Sequence, residues 1–156
     1  MALTSTPTDL RTESVYWAAA CSNKSRTIDE CKAETDATVA RILQLDLEPA
    51  KQPADYLAPI LNTVFMNRGH DLDFVELMLI YESKLMMEEG ITICINEKNN
   101  TLRDKYIAAY LTKYGETKEL LLLKLSYLSL FDVYPNNIAE VERILSLLDT
   151  PAETTV

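Results

Sequence analysis

Few side chains in this sequence are suited to acid–base catalysis near neutral pH. The chain of 156 residues has one histidine, His70, the residue type whose ordinary pKa lies closest to neutrality. His70 lies between Gly69 and Asp71, at a predicted junction between a loop and a helix. Asp71, Asp73 and Glu76 could join it as metal ligands, but acids at a helix start also complement the positive end of the helix dipole. Because no second histidine completes the usual zinc or di-iron sets, we predict no metal site.

The three cysteines are candidates for a nucleophile, a metal ligand or a disulfide. Cys94 lies far from His70 in the sequence and no nucleophile signature flanks it, so we predict a core residue. Cys21 and Cys31 are separated by nine residues, and this spacing resembles one half of the twin C-x9-C pattern of intermembrane-space coiled-coil-helix proteins. The second half of that pattern is absent from the sequence. A reducing compartment favours free thiols, and the pairing of Cys21 with Cys31 stays open.

The glycines offer no phosphate-binding loop. Gly69, Gly90 and Gly115 each lie at a predicted helix end, and none remains for a glycine-rich turn. The adjacent carboxylates of Glu88 and Glu89 point in different directions on a helix. We therefore expect neither a catalytic residue nor a cofactor.

Tyrosine and methionine side chains are better candidates for a binding surface. Tyr106, Tyr110 and Tyr114 are spaced by four residues and share one face of a predicted helix. Tyrosine suits positions that are apolar on one side and wet on the other, at the edge of a core or in a partner-binding groove. Met86 and Met87 either fill gaps in a core or offer adaptable surface, and as neighbours they should not both face one core. These five residues are our predicted partner-binding set.

The net charge of −9 limits the classes of partner. Nucleic acids and anionic membranes attract an excess of Lys and Arg, which this chain lacks. The N-terminal residues do not resemble a signal peptide, and the apolar runs near 74–81 and 120–131 are too short to span a bilayer. We expect a cytoplasmic protein whose partner is another protein, either a different chain or a second copy of itself.

The hydrophobic pattern predicts an all-α fold. Apolar residues recur at helical spacing along the chain, and proline, glycine and asparagine breaks divide it into seven or eight helices. Segments 72–89 and 117–133 are apolar on nearly all sides, which predicts two buried helices at the centre of a bundle. A single helical domain is expected to cover residues 1–150, followed by a flexible C-terminal tail at 151–156.

Residues 91–95 have a conflicting pattern. Ile91, Ile93 and Ile95 alternate with Thr92 and Cys94, as they would in a strand. A lone strand in a helical protein has no pairing partner within the chain. We therefore favour a short helix or an extended linker after a helix that ends at Gly90.

Together these features favour a non-enzymatic protein–protein interaction module, namely an adaptor, inhibitor or accessory subunit that binds through a helical face. One alternative is an enzyme or small-ligand binding protein with a site between helices. That site would draw on dispersed residues such as His70, Glu76, Glu82 and Cys94. A second alternative is an acidic decoy of a nucleic-acid-binding protein, which requires carboxylates gathered on one face.

Overall fold

Eight α-helices form most of the described part of the protein. The computed structural model describes residues 9–130 and 133–149 and contains no strand in these ranges, which confirms the all-α prediction. The helices are α1 (Leu10–Cys21), α2 (Ile28–Leu43), α3 (Leu61–Asn67), α4 (Leu72–Leu77), α5 (Lys84–Asn96), α6 (Asn100–Tyr114), α7 (Lys118–Leu128) and α8 (Ile138–Asp149). Short 3₁₀ helices lie at Pro53–Ile60, Met78–Tyr81 and Tyr134–Asn136. The predicted tail at 151–156 lies outside the described residues.

One hydrophobic core extends from Trp17 in α1 to Ile144 in α8. Phe65, Phe74 and Tyr106 are among its largest fully buried side chains. Within the described ranges, we find no helix whose length and hydropathy would allow it to cross a bilayer.

Oxygen-bearing side chains fix the starts of most helices. Before each of six helices, the side chain of the preceding residue accepts a hydrogen bond from an N–H of the first turn. These acceptor residues are Asp9, Thr27, Asp71, Ser83, Asn99 and Thr117. At α2 the N–H of Glu30 donates to Thr27 Oγ1 at 3.1 Å, and the N–H of Thr27 donates to Glu30 Oε1 at 2.8 Å. This reciprocal pair is the capping box that the sequence predicts, and it satisfies donors that a helix start leaves unpaired.

The central helix of the bundle is α5. It packs against α3, α6, α7 and the 3₁₀ helices at Pro53–Ile60 and Met78–Tyr81. The prediction of one buried helix over 72–89 is wrong, because the chain turns at Glu82, which has a left-handed φ of 50°. Ser83 then caps α5 by accepting a hydrogen bond from the N–H of Met86 at 3.2 Å.

Gly90 and residues 91–95 belong to the middle and end of α5. The predicted helix end at Gly90 is therefore wrong, and 91–95 is helical without being a separate element. Ile91, Ile93 and Cys94 are all buried. A helix enclosed on several sides can bury residues that do not share one face, which explains why the alternating pattern does not indicate a strand here.

Helix α7 lies beside α5 rather than at the centre of the bundle. Its main contacts are with α5 and α8, and it ends at Leu128, so the predicted buried helix over 117–133 is wrong in position and length. Leu120 and Leu121 are buried, but Leu122 is 49% exposed and Leu130, beyond the helix, is 48% exposed. The elements packed against α7 therefore leave part of its surface uncovered, however many leucines it contains.

Asp55 joins the starts of the Pro53–Ile60 helix and α5. Its Oδ2 accepts the N–H of Gln52 at 2.9 Å, and its Oδ1 accepts the N–H of Leu85 at 3.1 Å and the hydroxyl of Ser83. Asp55 is buried. The positive ends of two helices therefore stabilise its carboxylate.

Arg68, at the end of α3, binds the connection between α1 and α2. Its guanidinium donates to the backbone carbonyls of Cys21 at 3.1 Å, Asn23 at 3.2 Å and Arg26 at 2.9 Å. It also donates to Asp71 Oδ2 at 2.9 Å. Because Arg68 is buried, these bonds compensate for the loss of water around its charge.

Candidate functional site

His70 is a surface residue in this fold. Its Nδ1 lies 3.0 Å from Glu97 Oε2, and its ring meets Phe65 edge-on at a centroid distance of 5.1 Å. The residue has a positive φ of 62°, which is typical of the end of a turn. The predicted position at a loop between helices is confirmed, since His70 lies between α3 and α4.

All three thiols are buried and free. Burial raises the pKa of Cys94 to about 12, and burial together with the neighbouring Cys31 raises the pKa of Cys21 to about 12. Protonated thiols are poor nucleophiles near neutral pH. The prediction of Cys94 as a core residue is confirmed. No cluster of His, Cys, Asp and Glu that could hold a metal ion occurs among the described residues.

The tyrosine stripe of α6 faces the interior of the protein. Tyr106 donates its hydroxyl to the carbonyl of Val75, and Tyr114 donates to the carbonyl of Glu82 at 2.6 Å. Tyr110 donates to Glu88 Oε2 at 2.7 Å. These three hydrogen bonds connect α6 to the segment from α4 to α5.

The predicted partner-binding set therefore does not form an exposed surface. Tyr106, Tyr110, Met86 and Met87 are buried, and Tyr114 is partly exposed. Both methionines are covered because α5 has neighbours on several sides, so the expectation that they would not both face one core is wrong. A partner could reach these four side chains only after the helices separate.

A concave surface with exposed apolar side chains lies along α4. It is a groove of about 610 Å³, which we call the α4 groove, and it is lined by Ile28, Asp73, Glu76, Leu77, Leu79, Ile80 and Lys105. Ile80 is 54% exposed, while Ile28, Leu77 and Leu79 are partly buried and pack against the core. Apolar side chains therefore form most of its lining.

Charged side chains occupy one side of the α4 groove. Lys105 of α6 forms an ion pair with Glu76 of α4, and Asp73 lies one turn earlier on α4. The same three residues also line an adjoining groove of about 350 Å³. Asn99 and Thr101 give that second groove a polar character. The two grooves therefore share this charged wall, and polar residues form a larger part of the lining of the second.

The position of the groove is fixed by buried and hydrogen-bonded neighbours. Phe74, Val75 and Met78 are buried on the opposite side of α4 and the Met78–Tyr81 helix. The Tyr81 hydroxyl donates to Asp36 Oδ1 at 2.7 Å and so ties this 3₁₀ helix to α2. With these contacts in place, the groove exists before any partner binds.

Two other surfaces also carry exposed apolar side chains. A larger groove of about 980 Å³ is lined by the start of α1 and by Leu45. Ile138, Leu145 and Leu147 are exposed on α8, which packs against α7 and the Tyr134–Asn136 helix. These α8 residues occupy a helix surface rather than a groove.

No family model, curated protein or solved structure matches this chain.

The apolar residues of the α4 groove were not predicted as a site from the sequence. Residues 72–81 contain more apolar side chains than one helix face can bury, and this excess was a usable signal. The exposed position of Ile80 depends on the change from α-helix to 3₁₀ helix after Leu77. The α4 groove contains no histidine, cysteine or serine, so its chemistry suits binding of an apolar side chain beside a charge.

Proposed function

We propose that this protein is a non-enzymatic interaction module that binds a segment of a partner protein in the α4 groove. The observation that supports this proposal most strongly is the exposure of Ile80 at a depression with Ile28, Leu77 and Leu79. Apolar side chains gathered in a depression on a protein surface commonly mark a binding site.

The contacts that connect the walls of the groove also support a binding function. Its walls belong to three elements, namely the start of α2, the segment from α4 to Tyr81, and α6. The hydrogen bond from Tyr81 to Asp36 and the ion pair between Glu76 and Lys105 connect these elements. A preformed surface loses little conformational entropy when a partner binds.

The two alternative functions have less support in the described residues. An enzyme that used Cys94 would need a thiolate, whereas burial raises the pKa of this thiol to about 12. An acidic decoy would need free carboxylates. Glu116 and Glu140 instead share Arg143, at 2.6 Å and 2.9 Å, and Glu140 also binds Lys124 at 2.8 Å.

Co-purification from the cells that produce the protein tests the proposal. The full chain, an Ile80→Glu variant and a Leu145→Glu variant are each tagged, and bound proteins are quantified by mass spectrometry. Leu145 is 48% exposed on α8 and serves as the matched control for an exposed apolar residue. A partner that the Ile80→Glu variant loses and the Leu145→Glu variant retains supports the proposal. If no stoichiometric partner is sensitive to Ile80→Glu alone, the proposal is refuted.

A further inference from the structure

We propose that the segment bound in the α4 groove is basic as well as apolar. Its apolar side chains contact Leu77 and Ile80, and a Lys or Arg of the same segment pairs with Asp73. This inference rests on the proposed function of the groove and adds the chemical class of the partner.

The charges that line the groove favour a cation. Two carboxylates, Asp73 and Glu76, share this wall with one amine, that of Lys105. The amine is already paired with Glu76. Within residues 9–130 and 133–149, no side chain forms an ion pair or a hydrogen bond with the carboxylate of Asp73. One negative charge is therefore left for a partner.

The wider charge distribution has the same sign. Asp29 follows Ile28 in the first turn of α2 and is exposed. The whole chain carries a net charge of −9. An acidic segment would be repelled by these carboxylates, whereas a basic one is attracted during diffusion and after docking.

The shape of the depression favours a segment with more than one contacting side chain. Ile80 lines the first groove, Asn99 and Thr101 line the second, and Asp73 lines both. A segment that spans both grooves would place an apolar anchor beside Ile80 and a Lys or Arg beside Asp73. The amide of Asn99 and the hydroxyl of Thr101 can then hydrogen-bond with the backbone of that segment.

Synthetic peptides supply a direct test with the full chain. Three peptides share one amphipathic pattern of leucines and differ in their polar positions, which are all Lys, all Gln or all Glu. Each is titrated into isotope-labelled protein, and the amide shifts give both the dissociation constant and the location of binding. We expect the Lys peptide to bind most tightly and to shift the amides of Leu77, Leu79 and Ile80.

Matched variants separate the charge from the apolar contact. Asp73→Asn should weaken binding of the Lys peptide roughly two- to fivefold, as expected for one exposed ion pair. Ile80→Gln should weaken it roughly tenfold, since the contact of an apolar anchor is lost while the charge of the groove is unchanged. Glu142→Gln, which removes an exposed carboxylate from α8, should leave binding unchanged.

The outcomes distinguish this inference from the proposed function. Equal binding of the Lys and Gln peptides in the groove overturns the basic character of the partner and leaves the groove as a docking site. An equal effect of Asp73→Asn and Glu142→Gln also overturns it, because binding would then follow overall charge. If no peptide shifts the groove amides and co-purification is insensitive to Ile80→Glu, both proposals fail.

Discussion

Replacing Gly90 by alanine should destabilise the protein, although alanine is the better helix former. Gly90 lies within α5, where α6 crosses it. A Cβ at this position would lie 2.5 Å from Cε1 and 2.6 Å from Cζ of Tyr106. These distances are well below the normal separation of about 3.5–4.0 Å between carbon atoms. Either the Tyr106 ring or the helix backbone must move.

The size of the effect follows from two opposing contributions. Alanine gains about 1 kcal/mol over glycine in a helix interior. Overpacking a filled core costs about 1–3 kcal/mol. The upper part of that range applies here, because Tyr106 is fully buried and its hydroxyl is bonded to the carbonyl of Val75. The net loss should be about 1–2 kcal/mol, or roughly 2–8 °C in Tm for a chain of this size.

A double-mutant cycle tests the proposed cause of this loss. Thermal and urea unfolding, followed by circular dichroism, is measured for the unmodified protein, Gly90→Ala, Tyr106→Leu and the double variant. In the Tyr106→Leu background the Gly90→Ala change should be neutral or stabilising by up to about 1 kcal/mol, since the ring is gone. A Gly90→Ala variant that is more stable than the unmodified protein would refute the reasoning. So would an equal loss in both backgrounds.

Three further predictions concern buried polar groups and pH. Asp55→Ala should lower the free energy of unfolding by about 2–4 kcal/mol in urea titrations, because the N–H groups of two helix starts lose their acceptor. Asp55→Asn should lower this free energy by less. The contribution of the thiols to stability should be constant below the pKa of an unfolded thiol, about 8.5, and should fall above it, because Cys21 and Cys94 stay protonated in the fold up to about 12. The free energy of unfolding from urea titrations should then decline by up to about 1.4 kcal/mol per pH unit and thiol, and Cys94→Ala should reduce the slope. Arg143 and Lys124 lower the pKa of Glu140 to about 2, so this carboxylate stabilises α8 above its unfolded pKa and loses that effect as pH falls from about 4.5 to 2. Hydrogen-exchange protection factors of the α8 amides should fall over this range, and should fall less in an Arg143→Ala variant.

Features that depend on neighbouring residues in the sequence were predictable. The capping box of Thr27 and Glu30, the cap at Asp71 and the break after Gly69 all involve contacts within a few residues. The side chains that make such contacts are adjacent in the sequence, so their types and spacing are enough to indicate a helix start or end. The all-α class follows from the same kind of information.

Burial was less predictable, because it depends on which element lies alongside. Leu121 and Leu122 are identical side chains in one helix, yet the first is buried and the second is exposed. Gly90 looked like a helix end because glycine often ends helices, whereas here it makes room for the ring of Tyr106. Tyr106 belongs to another helix, so the residues next to Gly90 in the sequence do not reveal why a glycine is needed here.

The candidate site could not be predicted from the sequence either, because the exposure of its residues also depends on which elements lie alongside. Ile80 belongs to an apolar run that appeared fully buried, yet it is 54% exposed in the 3₁₀ helix that follows Leu77. The stripe of Tyr106, Tyr110 and Tyr114 had the spacing expected of a surface as well as that of a core edge. The three hydroxyls bond to the segment from α4 to α5, and these contacts show that the stripe faces the core.

The connection between α1 and α2 is constrained by its shape rather than by its length. Three of its backbone carbonyls, those of Cys21, Asn23 and Arg26, bind one guanidinium that comes from the end of α3. Inserting a tag or an extra residue between positions 22 and 27 would move these carbonyls apart and leave a buried positive charge without its acceptors. This short turn is therefore a poor choice for grafting or permuting the chain, even though many of its side chains face solvent.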